Sequence, residues 1–432
     1  MPRVLIAGGG FGGYYTAQSL ERHTSAEVEI LLVNDSNFML YSPLLPGAAA
    51  GTLEPRHVAI PLRERLRRTQ VELGWVRAAD PAARTVTVER ASGEREPFTY
   101  DHLVVALGSI TRTVPVPGLT EHAVGLKTLA EGIALRNQVV RRLEVAEELA
   151  DEGERREHLG FVFVGGGYAG LEGAAELQSF ADDVLKYYPR CAATGMRWLV
   201  VDAADRIMPQ ISPRLAHFTE DVLRQRGIEL LLNTQLTEVT ARSVTLSTGE
   251  VVPCRTVCWT AGVTGSPVAG HLGLPVDRGR IECDATMRVK GVDNVWAVGD
   301  VAAIPDPARP GQPCPATAQH AIRQGKLLGR NLAAVLGSDP GEVKPFAYKT
   351  LGMFADLGRH NAVAEAMGIP LRGFPAWALC RFYHLAWVPG LPRKLRLIAD
   401  WTVDFWFRRD IAELGQLGHP PRLQEHTPPP ER

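Results

Sequence analysis

The chain has 432 residues, a formal net charge of −1 and a composition that is 45% hydrophobic and 22% charged. This length predicts two or three domains with a sizeable buried core, and the near-zero charge argues against the basic face of a nucleic-acid-binding protein. Six cysteines without regular spacing argue against a disulfide-stabilised secreted protein. The start of the chain lacks a signal-peptide pattern, and no apolar run reaches the ~18 residues of a spanning helix. We therefore expect a soluble, cytosolic, multidomain protein.

A glycine-rich turn of the form G-x-G-x-x-G occurs twice, each time between an apolar run and a helical pattern. When the two turns are aligned, the matching pairs are Gly8/Gly165, Gly10/Gly167, Phe11/Tyr168 and Gly13/Gly170. The first turn has one further glycine, Gly12. Glycines in this motif permit a tight bend, close approach to a pyrophosphate and close helix–strand packing, while N–H groups at the helix start face the anion. Two copies predict two dinucleotide sites. The alternative is a degenerate second copy that binds no nucleotide.

Each turn is followed by a strand that ends in polar residues suited to an adenosine ribose. The first strand ends in Asn34 and Asp35, and the second ends in Asp202. A carboxylate at 202 favours a free 2′-hydroxyl and repels a 2′-phosphate, which predicts NADH rather than NADPH. The alternative is that Asp202 only caps its strand or the next helix. Residues 180–196 are predicted as an inserted helix and loop.

Three further apolar strands end in small residues, at Gly108, at Gly262 and at Gly299-Asp300. In flavoproteins with two dinucleotide-binding domains, an aspartate in the position of Asp300 reaches the ribityl chain and phosphates of FAD. The order of these strands predicts an α/β fold with two Rossmann-like domains. The predicted parts are the FAD domain (1–115 and 266–340), an inserted NADH domain (116–265), a C-terminal membrane-associating domain (341–414) and a disordered tail (415–432).

With these motifs, residues 3–410 resemble the type II NADH:quinone oxidoreductases. Beyond the glycine turns, the resemblance rests on short segments of sequence at 38–46, 259–263, 298–302, 318–325, 358–364, 376–377 and 384–385. It implies that NADH reduces FAD and that the reduced flavin passes two electrons to a membrane quinone, without proton pumping. It implies no metal, and the sequence shows no convincing cluster of His and Cys ligands.

The resemblance also implies a catalytic site. Glu172 would lie near the nicotinamide and the flavin and link NADH binding to proton delivery, and Ala318 and Gln319 would lie beside the flavin ring near the quinone. The alternative for Glu172 is an acid in the first helical turn that interacts with the helix dipole. The alternative for Gln319 is an ordinary residue at a helix start.

Two positions depart from the family pattern. Asn34 stands where the family commonly has an acid, so Asn34 or Asp35 would contact the FAD ribose. Arg323 replaces the second glutamine of the family's A-Q-x-A-x-Q motif. Its guanidinium could donate to a quinone carbonyl, or pair with a nearby acid and narrow the quinone tunnel.

Residues 371–409 contain nine of the chain's 30 aromatic residues, and seven basic residues against two acidic ones. Aromatic residues with basic flanks suit the interface of an anionic leaflet. We therefore expect peripheral attachment to the cytoplasmic side of the cell membrane. The alternative is the aromatic core of a small C-terminal domain. A homodimer formed through this stretch is an expectation from the family.

The second candidate function is that of a sulfide:quinone oxidoreductase, which needs two cysteines beside the flavin for thiolate chemistry. Cys191, Cys314 and Cys380 are candidates by position, but none stands in a recognisable motif. A disulfide reductase would carry a C-x4-C pair early in the chain, and residues 33–60 contain no cysteine. A redox-sensing scaffold without enzymatic activity would bind FAD and turn over no quinone.

Overall fold

A computed structural model of the chain describes residues 1–350 and 352–413. The predicted disordered tail, residues 415–432, lies outside the described residues. The first part of the chain comprises β1 (Arg3–Ala7), α1 (Phe11–His23), β2 (Glu29–Asn34), β3 (Phe38–Leu40), α2 (Leu45–Ala49), β4 (Ala59–Pro61), α3 (Leu62–Arg65), β5 (Gln70–Asp80), β6 (Thr85–Arg90), β7 (Arg95–Thr99), β8 (His102–Val105) and β9 (Ser109–Thr111).

The middle part comprises α4 (Leu119–His122), β10 (Ala123–Val124), α5 (Leu129–Glu148), α6 (Glu152–His158), β11 (Gly160–Val164), α7 (Tyr168–Val184), α8 (Pro189–Thr194), β12 (Arg197–Val201), α9 (Pro213–Gln225), β13 (Ile228–Leu231), β14 (Leu236–Val239), β15 (Ser243–Leu246), β16 (Val251–Pro253) and β17 (Thr256–Trp259). The last part comprises β18 (Val263–Gly265), β19 (Val276–Asp277), β20 (Arg280–Glu282), β21 (Val295–Ala297), β22 (Ala302–Ala303), α10 (Ala318–Val335), β23 (Gly352–Asp356), β24 (Ala362–Ala366), β25 (Ile369–Arg372), α11 (Phe374–Trp387) and α12 (Leu391–Trp406). As the sequence predicted, helical and loop segments fill the interval between residues 180 and 196.

The largest sheet joins distant parts of the chain. Its strand order is β21-β8-β1-β2-β5-β6-β7, and β1 pairs in parallel with both β2 and β8. Strand β21 adds in parallel to the outer side of β8, although the whole middle part of the chain separates the two strands. The middle part forms its own parallel sheet in the order β10-β17-β11-β12-β13. The prediction of a Rossmann-like domain split by an inserted one is therefore confirmed.

Both central strands are buried on both faces. Strand β1 (RVLIA) and strand β11 (GFVFV) carry almost only apolar residues, as parallel strands covered by helices require. Their carboxyl ends open into the two glycine turns, so each turn lies at the edge of a sheet where ligands bind in such folds. Local apolar pattern and turn chemistry thus position both predicted nucleotide sites.

Helix α10 packs closely against α1. A Cβ atom on Gly325 would lie 2.5 Å from the carbonyl oxygen of Gly12, and one on Gly329 would lie 2.4 Å from the Cβ of Ser19. Both contacts are shorter than real Cβ atoms allow, so the two helices can approach this closely only with glycine at these positions. This packing fixes the N-terminal end of α10, which begins at Ala318.

The C-terminal part adds a three-stranded antiparallel sheet, β23-β24-β25, on which α11 packs. Helix α12 follows and places Leu397 in the protein core, while several of its other apolar side chains are exposed. Within the described residues, none of the helices combines the length and apolar character needed to cross a bilayer.

Candidate active site

The first glycine turn is held by the strand that follows it. The N–H of Gly8 donates to the carbonyl oxygen of Val33 at 2.8 Å, and Gly8 adopts a φ of 107° that favours glycine. A Cβ on Gly13 would lie 1.8 Å from the carbonyl oxygen of Gly8, whereas a Cβ on Gly10 would meet nothing within 4 Å. Two glycines are therefore required by packing, and Gly10 leaves open space in front of the N-terminus of α1. The adjacent Phe11 packs edge-on against Tyr41.

The second turn repeats this geometry. Gly165 has a φ of 118° and donates to the carbonyl oxygen of Val201 at 2.8 Å. A Cβ on Gly170 would lie 2.0 Å from the carbonyl oxygen of Gly165, and Gly167 faces open space. Both turns thus present a helix N-terminus to a sterically open position, which is the arrangement that holds a pyrophosphate. The residues present therefore fit two dinucleotides.

Asn34 and Asp202 occupy equivalent positions in the two units. Asn34 Oδ1 accepts the N–H of Gly9 at 2.7 Å, and a carboxylate oxygen of Asp202 accepts the N–H of Gly166. The other oxygen of Asp202 accepts the N–H of Ala204 at 2.7 Å. Asp35 is exposed to solvent. Asn34 rather than Asp35 is therefore the counterpart of Asp202.

Asp300 belongs to a short polar chain beside the first sheet. Ser109 Oγ donates to Asp300 Oδ2 at 2.6 Å, and Lys127 Nζ donates to Ser109 Oγ at 2.9 Å. Gly108 precedes this serine with a φ of 65°, and a Cβ there would meet nothing within 4 Å. An acid, a hydroxyl and an ammonium group are thus linked by hydrogen bonds beside Gly108, and these polar groups suit the hydroxyl-bearing chain of a flavin cofactor.

A cavity of about 360 Å³ is lined by residues of both Rossmann-like units and of the C-terminal part of the chain. Its lining includes five of the residues predicted from sequence, which are Tyr168, Glu172, Gly262, Ala318 and Gln319. The glycines of the two turns, together with Asn34, Asp202, Asp300 and Arg323, lie outside this lining. The structure therefore separates the predicted residues into two nucleotide-binding turns and one shared cavity.

Glu172 is fixed in the cavity wall by the C-terminal sheet. Its Oε1 atom accepts the backbone N–H of Asp356 at 2.9 Å. Burial raises the pKa of Glu172 well above its usual range, and the nearby charge of Asp356 acts in the same direction. A carboxyl group whose pKa is raised keeps its proton to higher pH than an ordinary glutamate and can release that proton to a reacting group.

Gln319 is held at both ends of its side-chain amide. Its Nε2 atom donates to the carbonyl oxygen of Gly352 at 3.1 Å, and its Oε1 atom accepts the hydroxyl of Tyr348 at 2.9 Å. Thr317 caps this helix start by accepting the N–H of His320. The amide is therefore held in one orientation at the cavity wall.

Arg323 contacts aromatic rings. Its guanidinium carbon lies 4.1 Å from the ring centre of Tyr348 and 4.8 Å from that of Trp387, and its Nη1 atom donates to the carbonyl oxygen of Gln319 at 3.0 Å. These are cation–π distances. The guanidinium thus packs against Trp387, which lines the cavity, and among the described residues it forms no ion pair with an acidic side chain.

The cavity residues that sequence reasoning did not name as site residues include Tyr41, Lys127, His384 and Trp387. The hydroxyl of Tyr41 lies 3.4 Å from Nδ1 of His384. Burial and the nearby Arg381 lower the pKa of His384 to about 4, so its ring is neutral at neutral pH. Tyr41 and His384 stand in segments that carried the family resemblance, whereas no sequence signal marked Lys127.

The three candidate cysteines for sulfide chemistry are buried thiols outside the main cavity. Burial raises the pKa of Cys191 to about 12 and that of Cys314 to about 11, and it also raises the pKa of Cys380 well above the usual range. Reactive cysteines need the thiolate form. The geometry therefore gives little support to the sulfide-oxidising alternative.

Fold and turns together define a flavoprotein with two dinucleotide-binding domains. The family model described as pyridine nucleotide-disulphide oxidoreductase matches residues 2–325, and the chain belongs to that family. It is 32% identical over 417 residues to the type II NADH:quinone oxidoreductase Ndh of Mycobacterium tuberculosis, covering 93% of this chain and 88% of that protein. NdhA of the same organism is 31% identical, with 94% and 87% covered.

Solved structures share the fold. NDH2 from Plasmodium falciparum in complex with NADH superimposes with a TM-score of 0.88 at 16% identity, covering 95% of this chain and 99% of that chain. The sulfide:quinone oxidoreductase of Aquifex aeolicus gives a TM-score of 0.70 at 18% identity, covering 92% and 93%. With the sequence relatives, these findings show that the chain belongs to the type II NADH:quinone oxidoreductases, a family of flavin-dependent enzymes. The resemblance based on the motifs is confirmed.

Proposed function

We propose that this chain passes electrons from NADH through FAD to a quinone at the 360 Å³ cavity. FAD would be held by residues 1–115 and 266–340, and NADH by residues 116–265. The observation that carries the proposal is the position of Glu172 and Gln319 in the wall of one cavity, to which residues from both proposed nucleotide-binding units contribute. Bound FAD would accept the hydride of NADH and pass the electrons on.

The first turn supplies what the flavin nucleotide needs. N–H groups at the start of α1 would face the pyrophosphate, and the amide of Asn34 would contact the adenosine ribose. Asp300 would accept hydrogen bonds from the hydroxyls of the ribityl chain, and Lys127 would balance its charge through Ser109. In the second turn, N–H groups at the start of α7 and the carboxylate of Asp202 would hold the pyrophosphate and ribose of NADH.

The quinone would occupy the part of the cavity lined by α10, the C-terminal sheet and α11. Ile322, Met353, Phe354 and Tyr383 give this part apolar and aromatic walls that suit a quinone ring and exclude water. The amide of Gln319 would donate to a quinone oxygen. Arg323 acts through Trp387 and is a positioning residue.

Anaerobic stopped-flow absorbance tests the proposed cycle. The purified yellow protein should bleach on mixing with NADH and recolour on mixing with a short-chain quinone. Bleaching by sulfide, without bleaching by NADH, would overturn the proposal in favour of sulfide oxidation. Stable yellow flavin that reacts with neither NADH nor sulfide would favour the scaffold without activity.

We also propose that residues 371–409 attach the enzyme to the cytoplasmic side of the membrane. Leu391, Leu395, Ile398 and Trp406 of α12 are exposed apolar residues that follow helical spacing, and Phe382 of α11 is 77% exposed. Arg393, Lys394 and Arg396 lie beside this face. An exposed apolar face with basic neighbours suits an anionic lipid surface. A homodimer through the same residues is the second candidate, and the mass of the detergent-free protein would distinguish the two.

A further inference from the structure

A second, much smaller cavity lies next to the first. It has a volume of about 30 Å³ and shares Glu172 and His384 with the main cavity. Two more carboxylates, Glu176 and Asp356, also line it. A cavity needs a volume of roughly 10–15 Å³ to hold one water molecule, so this one is large enough. Its polar lining supplies the hydrogen-bond partners that such a water requires. We call this space the acid chamber.

Two of the three carboxylates in the acid chamber are paired with arginines. Asp356 Oδ2 lies 2.9 Å from Nη1 of Arg381, and Glu176 Oε2 lies 3.0 Å from Nη2 of Arg409. Glu172 instead accepts the backbone N–H of Asp356. Glu176 follows Glu172 by one helical turn on α7, so the two side chains lie on the same face of that helix.

Charged and titratable groups lie near Asp356 on several elements. Helix α7 contributes Glu172 and Glu176, helix α11 contributes Arg381, Cys380 and His384, and helix α9 is followed by Arg226. Asp404 of α12 and Arg409, which follows that helix, lie beside Glu176. Burial and the charge of Glu176 raise the pKa of Asp356 to about 7, although the ion pair with Arg381 opposes the shift. Asp356 therefore exchanges its proton near neutral pH, whereas the thiol of Cys380 and the ring of His384 stay neutral.

The proposed reaction needs one proton that NADH does not bring. Reduction of a quinone to a quinol takes two electrons and two protons, and the hydride of NADH supplies two electrons with one proton. The second proton must reach the cavity through the protein. Glu172 lines both cavities, so it connects the acid chamber with the place where the quinone would bind.

We propose that Asp356 supplies this proton to Glu172 through a water molecule in the acid chamber. After Glu172 has given its proton to a quinone oxygen, the O–H bond of Asp356 breaks and its proton passes to the water. That water gives one of its own protons to the Glu172 carboxylate. Arg381 holds the resulting Asp356 carboxylate until a proton from solvent restores it. Asp356 acts through Glu172 and does not touch the substrate. The inference rests on the proposed function and deepens it.

The test uses the FAD-loaded enzyme with Asp356→Asn. We expect kcat for quinone reduction at pH 7 to fall by about a hundredfold, while bleaching by NADH in the first half-reaction keeps its wild-type rate. In the wild type, kcat should fall as the pH rises through about 7, because the protonated form of Asp356 is the donor. This fall of kcat with rising pH, the limb of the pH profile, should be absent from Asp356→Asn and present again in Asp356→Glu.

Two further variants separate a proton relay from a structural role. Arg381→Gln removes the cation that lowers the pKa of Asp356, so the limb of the pH profile should move to higher pH. Asp183→Asn removes another acid with an arginine partner, since Asp183 lies 3.3 Å from Arg359, but Asp183 does not line the chamber. Its kcat and its pH profile should match those of the wild type.

The inference is overturned if Asp356→Asn keeps the wild-type kcat and pH limb. It is equally overturned if the limb stays in place in Arg381→Gln, or if the NADH half-reaction slows as much as the quinone half-reaction. Failure of the proposed function is recognised separately, because the wild-type enzyme itself would then bleach with NADH and fail to recolour with quinone.

Discussion

Asn34 and Asp202 make the same hydrogen bond in the two halves of the molecule. Each follows the second strand of its unit and accepts the N–H of the middle glycine of the turn, Gly9 in one case and Gly166 in the other. The two side chains are nearly the same size and differ in charge. The unit proposed to hold NADH therefore has an anion next to the adenosine ribose, and the unit proposed to hold FAD has a neutral amide.

This difference predicts how the enzyme selects its nicotinamide nucleotide. Asp202→Asn keeps the hydrogen bond to Gly166 and removes the charge that repels a 2′-phosphate. The ratio of kcat/KM for NADH to that for NADPH should fall by about tenfold, a change of about 1.4 kcal/mol in discrimination. Asn34→Asp is the matched control and should leave the ratio unchanged. An unchanged ratio in Asp202→Asn would contradict the assignment.

Asp300 should determine how much flavin the protein retains. Asp300→Ala removes the acceptor at the end of the Lys127–Ser109 chain, and the half-buried hydroxyl of Ser109 then loses its anionic partner. The purified variant should be nearly colourless, as measured by the ratio of flavin to protein absorbance. Asp293→Ala removes an exposed acid before the same strand and should stay yellow. A fully yellow Asp300→Ala protein would rule out the proposed contact.

The raised pKa of Glu172 has a consequence for stability. Above the ordinary carboxyl pKa the unfolded chain releases this proton, whereas the folded protein keeps it up to the raised pKa of Glu172. The free energy of unfolding therefore falls as the pH rises from the ordinary pKa to the raised one. Glu172→Gln keeps the acceptor for the N–H of Asp356 and removes the titration. Its Tm should exceed that of the wild type by a margin that grows by a few degrees as the pH rises above the ordinary carboxyl pKa.

The same variant should also lose quinone reduction while it retains flavin. Glu148→Gln changes an exposed glutamate on α5 and serves as the control for both measurements. It should show the same pH dependence of Tm as the wild type. A Glu172→Gln protein whose Tm follows the wild-type pH dependence would show that Glu172 ionises in the folded state with an ordinary pKa.

Arg323 should affect the binding of quinone more than the chemistry. Arg323→Gln removes the cation that lies over Tyr348 and Trp387, so the aromatic wall of the cavity becomes less ordered. We expect the KM for quinone to rise by about five- to tenfold, consistent with about 1 kcal/mol for a cation–π contact, at an unchanged rate of bleaching by NADH. Arg330→Gln, at an exposed position of the same helix, should leave both quantities unchanged. An equal loss in the NADH half-reaction would argue against a role at the quinone.

The exposed face of α12 should decide attachment to lipid. Trp406→Glu and Leu395→Glu place charges on side chains that are 73% and 57% exposed, so they should not unfold the protein. Flotation with vesicles that contain phosphatidylglycerol should recover the wild type and leave these variants in solution. Tyr187→Glu, at an exposed aromatic residue elsewhere, should float like the wild type. If all proteins float equally, the lipid contact lies on another face.

The two nucleotide sites could be predicted from the sequence because their requirements are local. A Cβ on Gly13 would lie 1.8 Å from a carbonyl oxygen of its own turn, and one on Gly170 would lie 2.0 Å from the equivalent oxygen. Both turns therefore require glycine at this position, and the motif can be recognised in the sequence at both places. Apolar runs before each turn fix the strand and therefore the sheet edge at which the turn lies. The order of these runs was sufficient to predict a split domain.

Only the tertiary structure decided how the cavity is built. Glu172 and Asp356 are 184 residues apart and meet because a strand of the C-terminal sheet lies against α7. The same sheet ties down Gln319, and α11 places Trp387 next to Arg323. No spacing in the chain encodes such meetings, since they depend on how separate elements pack. The sequence by itself therefore determined which cofactors the fold can hold. The packing of the C-terminal part decided where the quinone would bind and which side chains would transfer the proton.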